Sequence, residues 1–144
     1  MKKMIVTLAI AISTLSAFAN DENVNQKILD AFRTEFTTAK EVEWSAGSNY
    51  YKATFSYNGK YVFAYYSENG ELLGLTRYIS PADLPLSLQS SLKKKYEGFW
   101  ISDLFEASKN DSTNYYITVE NADTKIILNS SGTGWNVYNK IKKS

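Results

Sequence analysis

Two stretches of the chain carry an apolar residue at every fourth position, with polar residues between them. This spacing places the apolar side chains on one face of an amphipathic helix. The first stretch predicts a helix over residues 24–39, with Val24, Ile28, Phe32 and Phe36 on its apolar face. The second begins near Pro85, a residue that suits the first turn of a helix. Its apolar positions are Leu84, Leu88, Leu92 and Tyr96.

Between and after these stretches, the period changes to the alternation that is typical of β-strands. Asn58-Gly59 predicts a two-residue hairpin turn, because both central residues of that turn need a positive φ. Asn69-Gly70 predicts a second turn. The strands predicted after the first helix cover residues 41–44, 49–57, 60–67 and 71–78. Those after the second helix cover residues 100–105, 114–120 and 124–129 and a last strand that carries Trp135, Val137 and Tyr138.

The order of elements indicates an α+β fold. We expect a tandem repeat of one helix plus about four antiparallel strands, over about residues 24–79 and 82–141. The sheet is expected as two sheets side by side or as one continuous curved sheet, with the helices packed on one face.

Hairpin geometry assigns the side chains of the first repeat to two faces. A two-residue loop at Asn58-Gly59 pairs Phe55 with Val62 and Ala53 with Ala64, which predicts a helix-covered core face. The opposite face then holds a polar row and an aromatic row: Lys52, Thr54, Ser56, Tyr61, Phe63 and Tyr65. The same construction around Ala122-Asp123 adds Tyr116 and Ile127 to this face.

Contiguous exposed aromatic residues mark interaction surfaces. We therefore expect a partner-binding site made of Tyr61, Phe63, Tyr65, Lys52 and Tyr116. The alternative is that strands simply favour aromatic residues and that a loop or the other repeat covers this face. A one-residue shift in register would also exchange the two faces.

Composition excludes several kinds of chemistry. The chain has no Cys and no His, so disulfides, thiolate nucleophiles and histidine-based catalysis are absent. Zinc sites made of carboxylates alone are rare. We expect no enzymatic activity, no catalytic residues, no metal and no cofactor.

The first 19 residues resemble a secretory signal peptide. Lys2 and Lys3 precede an apolar run over residues 4–15, and Ala17-Phe18-Ala19 has the small-x-small pattern of a cleavage site. Cleavage would leave residues 20–144 as a single periplasmic or secreted domain without stable membrane insertion. Loss of the two lysines takes the formal net charge from +1 to −1. A chain this close to neutrality lacks the basic surface that nucleic acid requires.

An ordered set of short motifs spans most of residues 27–140. It comprises Val42-Glu43-Trp44, Tyr51-Lys52-Ala53-Thr54-Phe55, Asn58-Gly59, Tyr65-Tyr66-Ser67-Glu68-Asn69-Gly70-Glu71-Leu72-Leu73 and Asp83-Leu84-Pro85. This set resembles the PepSY-like family of exported bacterial proteins that is described as β-lactamase-inhibitor-like. The second half departs from the pattern, with Trp100-Ile101 and Asn121-Ala122-Asp123 in place of the corresponding motifs.

The resemblance implies an exported protein without known catalytic residues, and the inhibitor label suggests that a sheet face holds a protein partner. Our principal hypothesis is therefore a non-catalytic, inhibitor-like protein-binding module whose partner is another exported or envelope protein. One alternative is a carrier of a glycan, a peptide or an apolar molecule in a pocket between the repeats. Another is a structural or envelope-stress role with self-association. The sequence leaves the oligomeric state open.

Overall fold

The computed structural model describes residues 17–19 and 23–144. The predicted signal peptide therefore lies outside the described residues, apart from the backbone of Ala17–Ala19. Contacts divide the described residues into two compact units, with the boundary between Thr76 and Arg77.

The described part of the chain contains nine strands and two α-helices. In the first unit, β1 (Ala17–Ala19) is followed by α1 (Gln26–Glu35), β2 (Lys40–Ala46), β3 (Tyr51–Tyr57) and β4 (Lys60–Tyr66). Strand β5 (Leu72–Tyr78) begins in the first unit and ends in the second. A 3-10 turn (Pro81–Asp83), α2 (Leu86–Lys95), β6 (Trp100–Lys109), β7 (Ser112–Glu120), β8 (Thr124–Ser130) and β9 (Asn136–Lys142) complete the chain.

The strands belong to one antiparallel sheet in which each strand lies beside the next in chain order. The predicted tandem repeat of a helix plus about four strands is therefore wrong as a description of the fold. The physical reason lies at the end of β5, where the Ile79 amide donates a hydrogen bond to the Leu104 carbonyl at 3.3 Å. Hydrogen bonding thus continues along the sheet at the point where a repeat would have ended.

Packing around α1 forms the core of the first unit. The Asn25 side chain caps the helix by accepting a hydrogen bond from the Ile28 amide. Ile28, Leu29 and Phe32 are buried against one face of β2 to β4. The strand residues of this core are Trp44, Ala53, Phe55, Ala64 and Tyr66.

A separate cluster forms the core of the second unit. Leu84 and Leu88 are buried with Leu104 of β6. The remaining buried members are Ile117 and Val119 of β7 and Ile126 and Leu128 of β8. The Trp135 indole donates to the Leu88 carbonyl at 3.1 Å, which fastens the segment before β9 to α2.

The predicted register of both hairpins is confirmed. Phe55 lies opposite Val62 and Ala53 opposite Ala64, across a turn in which Asn58 and Gly59 have φ values of 52° and 80°. In the second unit, Val119 lies opposite Ile126 and Ile117 opposite Leu128. For these strand pairs, the side chains therefore lie on the faces that alternation assigned to them.

Candidate functional site

The sheet of the first unit has one face that packs against α1 and a second face, here called the open face, that does not. The open face carries the predicted polar row on β3 and the predicted aromatic row on β4. Lys52 lies opposite Tyr65, Thr54 opposite Phe63, and Ser56 opposite Tyr61. Residues of α1 appear only in the cluster on the other face.

Exposure varies along the aromatic row. Tyr61 is 61% exposed, whereas Phe63 and Lys52 are partly buried. Tyr65 retains only 3% of its surface, which corrects the expectation that it lies open. The cause is Tyr50, whose ring centroid lies 5.7 Å from that of Tyr65.

Tyr50 reaches Tyr65 because the β2–β3 connection turns tightly. The Gly47 amide donates to the Tyr50 carbonyl at 2.9 Å, which brings the two residues together. A Cβ atom at position 47 would overlap the Tyr50 ring. Glycine at this position thus allows a loop side chain to fold over the strand and cover part of the open face.

The centre of the open face combines a cation with an aromatic ring. The Lys52 ammonium lies 5.6 Å from the centroid of the Phe63 ring, within the range of a cation–π contact. Thr76 of β5 lies opposite Phe63 on the other side and is buried. Phe63 therefore sits between its strand neighbours with part of its surface accessible.

One end of the open face is acidic. Strand β2 carries a bulge between Lys40 and Glu43, and Glu41 has a φ of 54°. The Glu41 carboxylate accepts a hydrogen bond of 3.2 Å from the Tyr61 hydroxyl, two strands away. This bond, and the charges of Glu41 and Glu43, raise the pKa of Tyr61 above its ordinary value. Bulges often redirect a side chain in this way.

Tyr116 of the second unit is also less accessible than expected. It is 2% exposed, because the Phe105 ring stacks on it at 5.0 Å and the Tyr138 ring meets it edge-on at 5.9 Å. The open-face prediction is thus corrected at Tyr116, as it is at Tyr65. Ile127, the other residue predicted there, is partly exposed.

Sequence reasoning missed Trp100, which is 52% exposed at the start of β6. The Lys143 ammonium lies 4.7 Å above its ring and 2.7 Å from the Glu120 carboxylate. The hydrogen bond with Lys143 lowers the pKa of Glu120, with a further contribution from Ser102. The available signal was the hairpin around Ala122-Asp123, whose register pairs Glu120 with Lys125 and so places charged side chains near the strand end that Trp100 occupies.

A pocket of about 410 Å³ lies within the second unit, beside the C-terminal end of α2. Its apolar lining residues are Leu92, Tyr96, Phe99, Ile101 and Val119, and Lys93 and Glu97 lie at its edge. The volume falls in the range of small-molecule sites. Among the described residues, no group of three or more acidic residues is placed to hold a metal ion.

Comparison with known proteins gives structural relatives but no sequence-defined family. No protein-family model and no curated protein matches the chain. A BLIP-like protein from Bacteroides fragilis aligns with a TM-score of 0.70 and 20% identity, covering 92% of this chain and 91% of that one. The chain has a BLIP-like fold.

Two further structures agree with this fold. A DUF2874 family protein from Bacteroides uniformis has a TM-score of 0.72 and 17% identity, with 82% of this chain and 88% of that chain covered. A protein provisionally described as periplasmic, from Bacteroides eggerthii, has a TM-score of 0.71 and 14% identity, with 83% and 88% covered. These matches support a BLIP-like fold and do not support a PepSY-like assignment.

The described helices are too short or too polar to cross a bilayer.

Proposed function

We propose that the protein is an exported, non-catalytic binding module that holds a protein partner on the open face of its first unit. Tyr61, Phe63 and Lys52 make the direct contacts in this proposal. Tyr65, which packs against Tyr50, and Tyr116, which packs against Phe105 and Tyr138, are buried and make no direct contact with the partner in this proposal.

The observation that carries the proposal is the combination of exposed aromatic surface and short polar side chains on a sheet face without a helix. Tyr61 is 61% exposed beside Ser56, and Phe63 is partly exposed beside Thr54. Tyrosine supplies a large contact area and a hydrogen-bonding tip at a low cost in side-chain entropy. The small neighbours leave room for a partner to approach both rings.

The structural similarity to a BLIP-like protein supports the proposal that the binding module is inhibitor-like. The provisionally periplasmic relative supports a periplasmic or secreted location. The partner is then another exported or envelope protein. Neither nucleic acid nor a bilayer is part of this proposal.

The test is affinity capture from envelope and secreted fractions of the source cells. Wild-type protein is compared with the Tyr61→Ala/Phe63→Ala double variant, and circular dichroism verifies that both are folded. Leu86→Ala is the matched control, because Leu86 is 81% exposed at the start of α2. We expect one protein captured by wild type and by Leu86→Ala but lost with the double variant. Equal capture by all three would contradict the proposed surface.

The pocket beside α2 favours a second function, the carriage of a small apolar molecule. Five of its lining residues are apolar or aromatic, and its volume of about 410 Å³ suits a ligand of modest size. Titration with the apolar dye 1-anilinonaphthalene-8-sulfonate tests this function. Saturable binding that Ile101→Trp abolishes in the folded protein would support carriage, because Ile101 lines the pocket and is 41% exposed, whereas unchanged dye fluorescence would count against it.

A further inference from the structure

The acidic end of the open face has a chemistry of its own. Glu41 and Glu43 are both exposed, and Glu43 lies opposite Thr54 on the face that carries Phe63. Tyr61 lies beside them, exposed and held by its hydrogen bond to Glu41. An accessible aromatic ring is therefore flanked by two carboxylates.

The charges of these carboxylates are not neutralised by ion pairs. In the part of the chain that the structure describes, ion pairs within 4.0 Å form between Arg77 and Glu106 and between Lys143 and Glu120, and neither involves Glu41 or Glu43. Lys40 lies opposite Ser56 near the bulge and makes no such pair. Both glutamates raise the pKa of the Tyr61 hydroxyl.

The same face already shows how it accommodates a cation. Lys52 places its ammonium 5.6 Å from the Phe63 ring centroid, on the strand next to Tyr61. Cations are attracted to the face of an aromatic ring, and nearby carboxylates strengthen that attraction. Two carboxylates lie beside the Tyr61 ring. Among the described contacts, no lysine ammonium lies over this ring.

We propose that Tyr61, Glu41 and Glu43 form a subsite for an arginine or lysine side chain of the protein partner. The argument is one of charge complementarity and rests on the proposed binding function of the open face. The guanidinium or ammonium group lies over the Tyr61 ring. Its contacts with the two carboxylates replace water molecules of its hydration shell. The bulge of β2 positions Glu41 for this task by turning its side chain toward Tyr61.

The test uses an acetylated Gly-Arg-Gly-Arg-Gly amide and its counterpart with citrulline, which is nearly isosteric with arginine and uncharged. Binding is followed by the aromatic NMR signals of Tyr61 and Phe63 at low ionic strength. The Glu41→Gln/Glu43→Gln variant removes two charges from the subsite. Glu68→Gln/Glu71→Gln is the matched control, because it removes two exposed charges at the β4–β5 turn of the same unit.

We expect the arginine peptide to shift the Tyr61 signals saturably, and the citrulline peptide to bind several-fold more weakly. Loss of Glu41 and Glu43 should weaken arginine binding about fivefold, the scale expected for exposed charge and cation–π contacts. The Glu68/Glu71 control should bind like wild type. Added salt should weaken the wild-type interaction.

Equal binding of the two peptides would overturn the subsite, and so would unchanged arginine binding by the Glu41/Glu43 variant. This outcome is distinguishable from failure of the proposed function. If affinity capture depends on Tyr61 and Phe63 while arginine selectivity is absent, the open face binds a partner without this subsite. If arginine selectivity is present, the subsite stands whatever the capture experiment returns.

Discussion

At the scale of single residues, accessibility on the open face depends on one loop side chain. Tyr50 comes from the β2–β3 connection, and its ring covers Tyr65 while Tyr61 stays uncovered. Gly47 makes this possible, since any side chain there would occupy the space of the Tyr50 ring. The accessible surface of the sheet is thus set partly outside the strands.

Gly47→Ala should displace the Tyr50 ring from Tyr65. We expect a loss of about 1–2 kcal/mol in the free energy of unfolding, because an aromatic contact is lost and buried surface becomes exposed. Urea unfolding measures this difference. Gly134→Ala is the control, because a Cβ there meets nothing within 4 Å. It should change stability by less than about 0.5 kcal/mol, and equal effects of the two substitutions would contradict this account of Gly47.

Tyr116 should make stability depend on alkaline pH. Burial raises the pKa of its hydroxyl from 10.0 to about 12, with a smaller contribution from Tyr138 and an opposing one from Asn129. The folded state therefore holds this proton more tightly than the unfolded state. The stabilisation is fully present below pH 10 and is lost as the pH rises from 10 through 12.

The Tyr116→Phe variant isolates this contribution. The Tyr116 hydroxyl has no well-formed hydrogen bond, so its removal should change stability by less than about 1 kcal/mol at pH 8. Between pH 10 and 12, wild type should lose about 1–3 kcal/mol more than the variant. Unfolding by urea at pH 8, 10, 11 and 12 measures the difference. Parallel pH curves for the two proteins would contradict it.

Alternation along the strands predicted which face each of these residues occupies, but it did not predict their exposure. Tyr65 and Tyr116 lie on the predicted face, and both are covered by rings from elsewhere. Phe105 reaches Tyr116 from the adjacent strand β6, and Tyr138 reaches it from β9, two strands away; the β6–β7 and β8–β9 pairs each contain a bulge. A bulge shifts the alternation by one residue, and the sequence carries no clear sign of where that shift occurs.

At the scale of elements, α1 is held in place through the residue that caps its N-terminus as well as through its apolar face. The Asn25 side chain accepts from the Ile28 amide at 3.1 Å, and its amide group donates to the Glu68 carbonyl at 2.9 Å. One residue thus caps the helix and fixes the β4–β5 turn against it. The sequence predicted a helix over residues 24–39 but not this second contact, because Glu68 lies 43 residues away.

Substitutions at Asn25 should separate the two contacts. Asn25→Ala loses both and should destabilise the protein by about 1–2 kcal/mol. Asn25→Asp keeps the acceptor that caps the helix and loses the donor to Glu68, so it should cost less. Thermal or urea unfolding ranks the variants. An Asp variant as unstable as the Ala variant would show that the Glu68 contact, rather than the cap, dominates.

The strands themselves were predicted well where turn residues fix them. Asn58-Gly59 sets the β3–β4 register: the predicted pairs Phe55–Val62 and Ala53–Ala64 are present, and the same register runs from Tyr57–Lys60 to Tyr51–Tyr66. Strand ends without such turn residues were predicted less accurately. Strand β6 extends to Lys109 rather than ending at Phe105, because its partner β7 begins at Ser112 and continues the pairing to Lys109.

At the scale of the whole molecule, the continuous sheet makes its edges important. Strand β1 pairs with the last three residues of β2, Trp44–Ala46. The remainder of that edge carries Lys40, Glu41 and Glu43 and the bulge, features that discourage pairing with other strands. The part of β2 that β1 covers has no charged side chain. This part of the edge therefore depends on β1 for protection from pairing with other strands.

This arrangement leads to a prediction about export. If the signal peptide is cleaved after Ala19, the mature chain begins at Asn20 and lacks β1. Intact-mass measurement of the exported protein should give residues 20–144, and an Ala17→Lys variant, which disrupts the cleavage pattern, should stay unprocessed.

Hydrogen exchange then compares residues 1–144 and 20–144, both purified from the cytoplasm. Faster exchange at residues 44–46 in the shorter chain is expected, because backbone hydrogen bonds to β1 protect this edge. Equal exchange would mean that another segment takes the place of β1 or that these amides are already protected by β3. Unchanged exchange at residues 53–55, which lie inside the sheet, serves as the internal control and confines the effect to the edge.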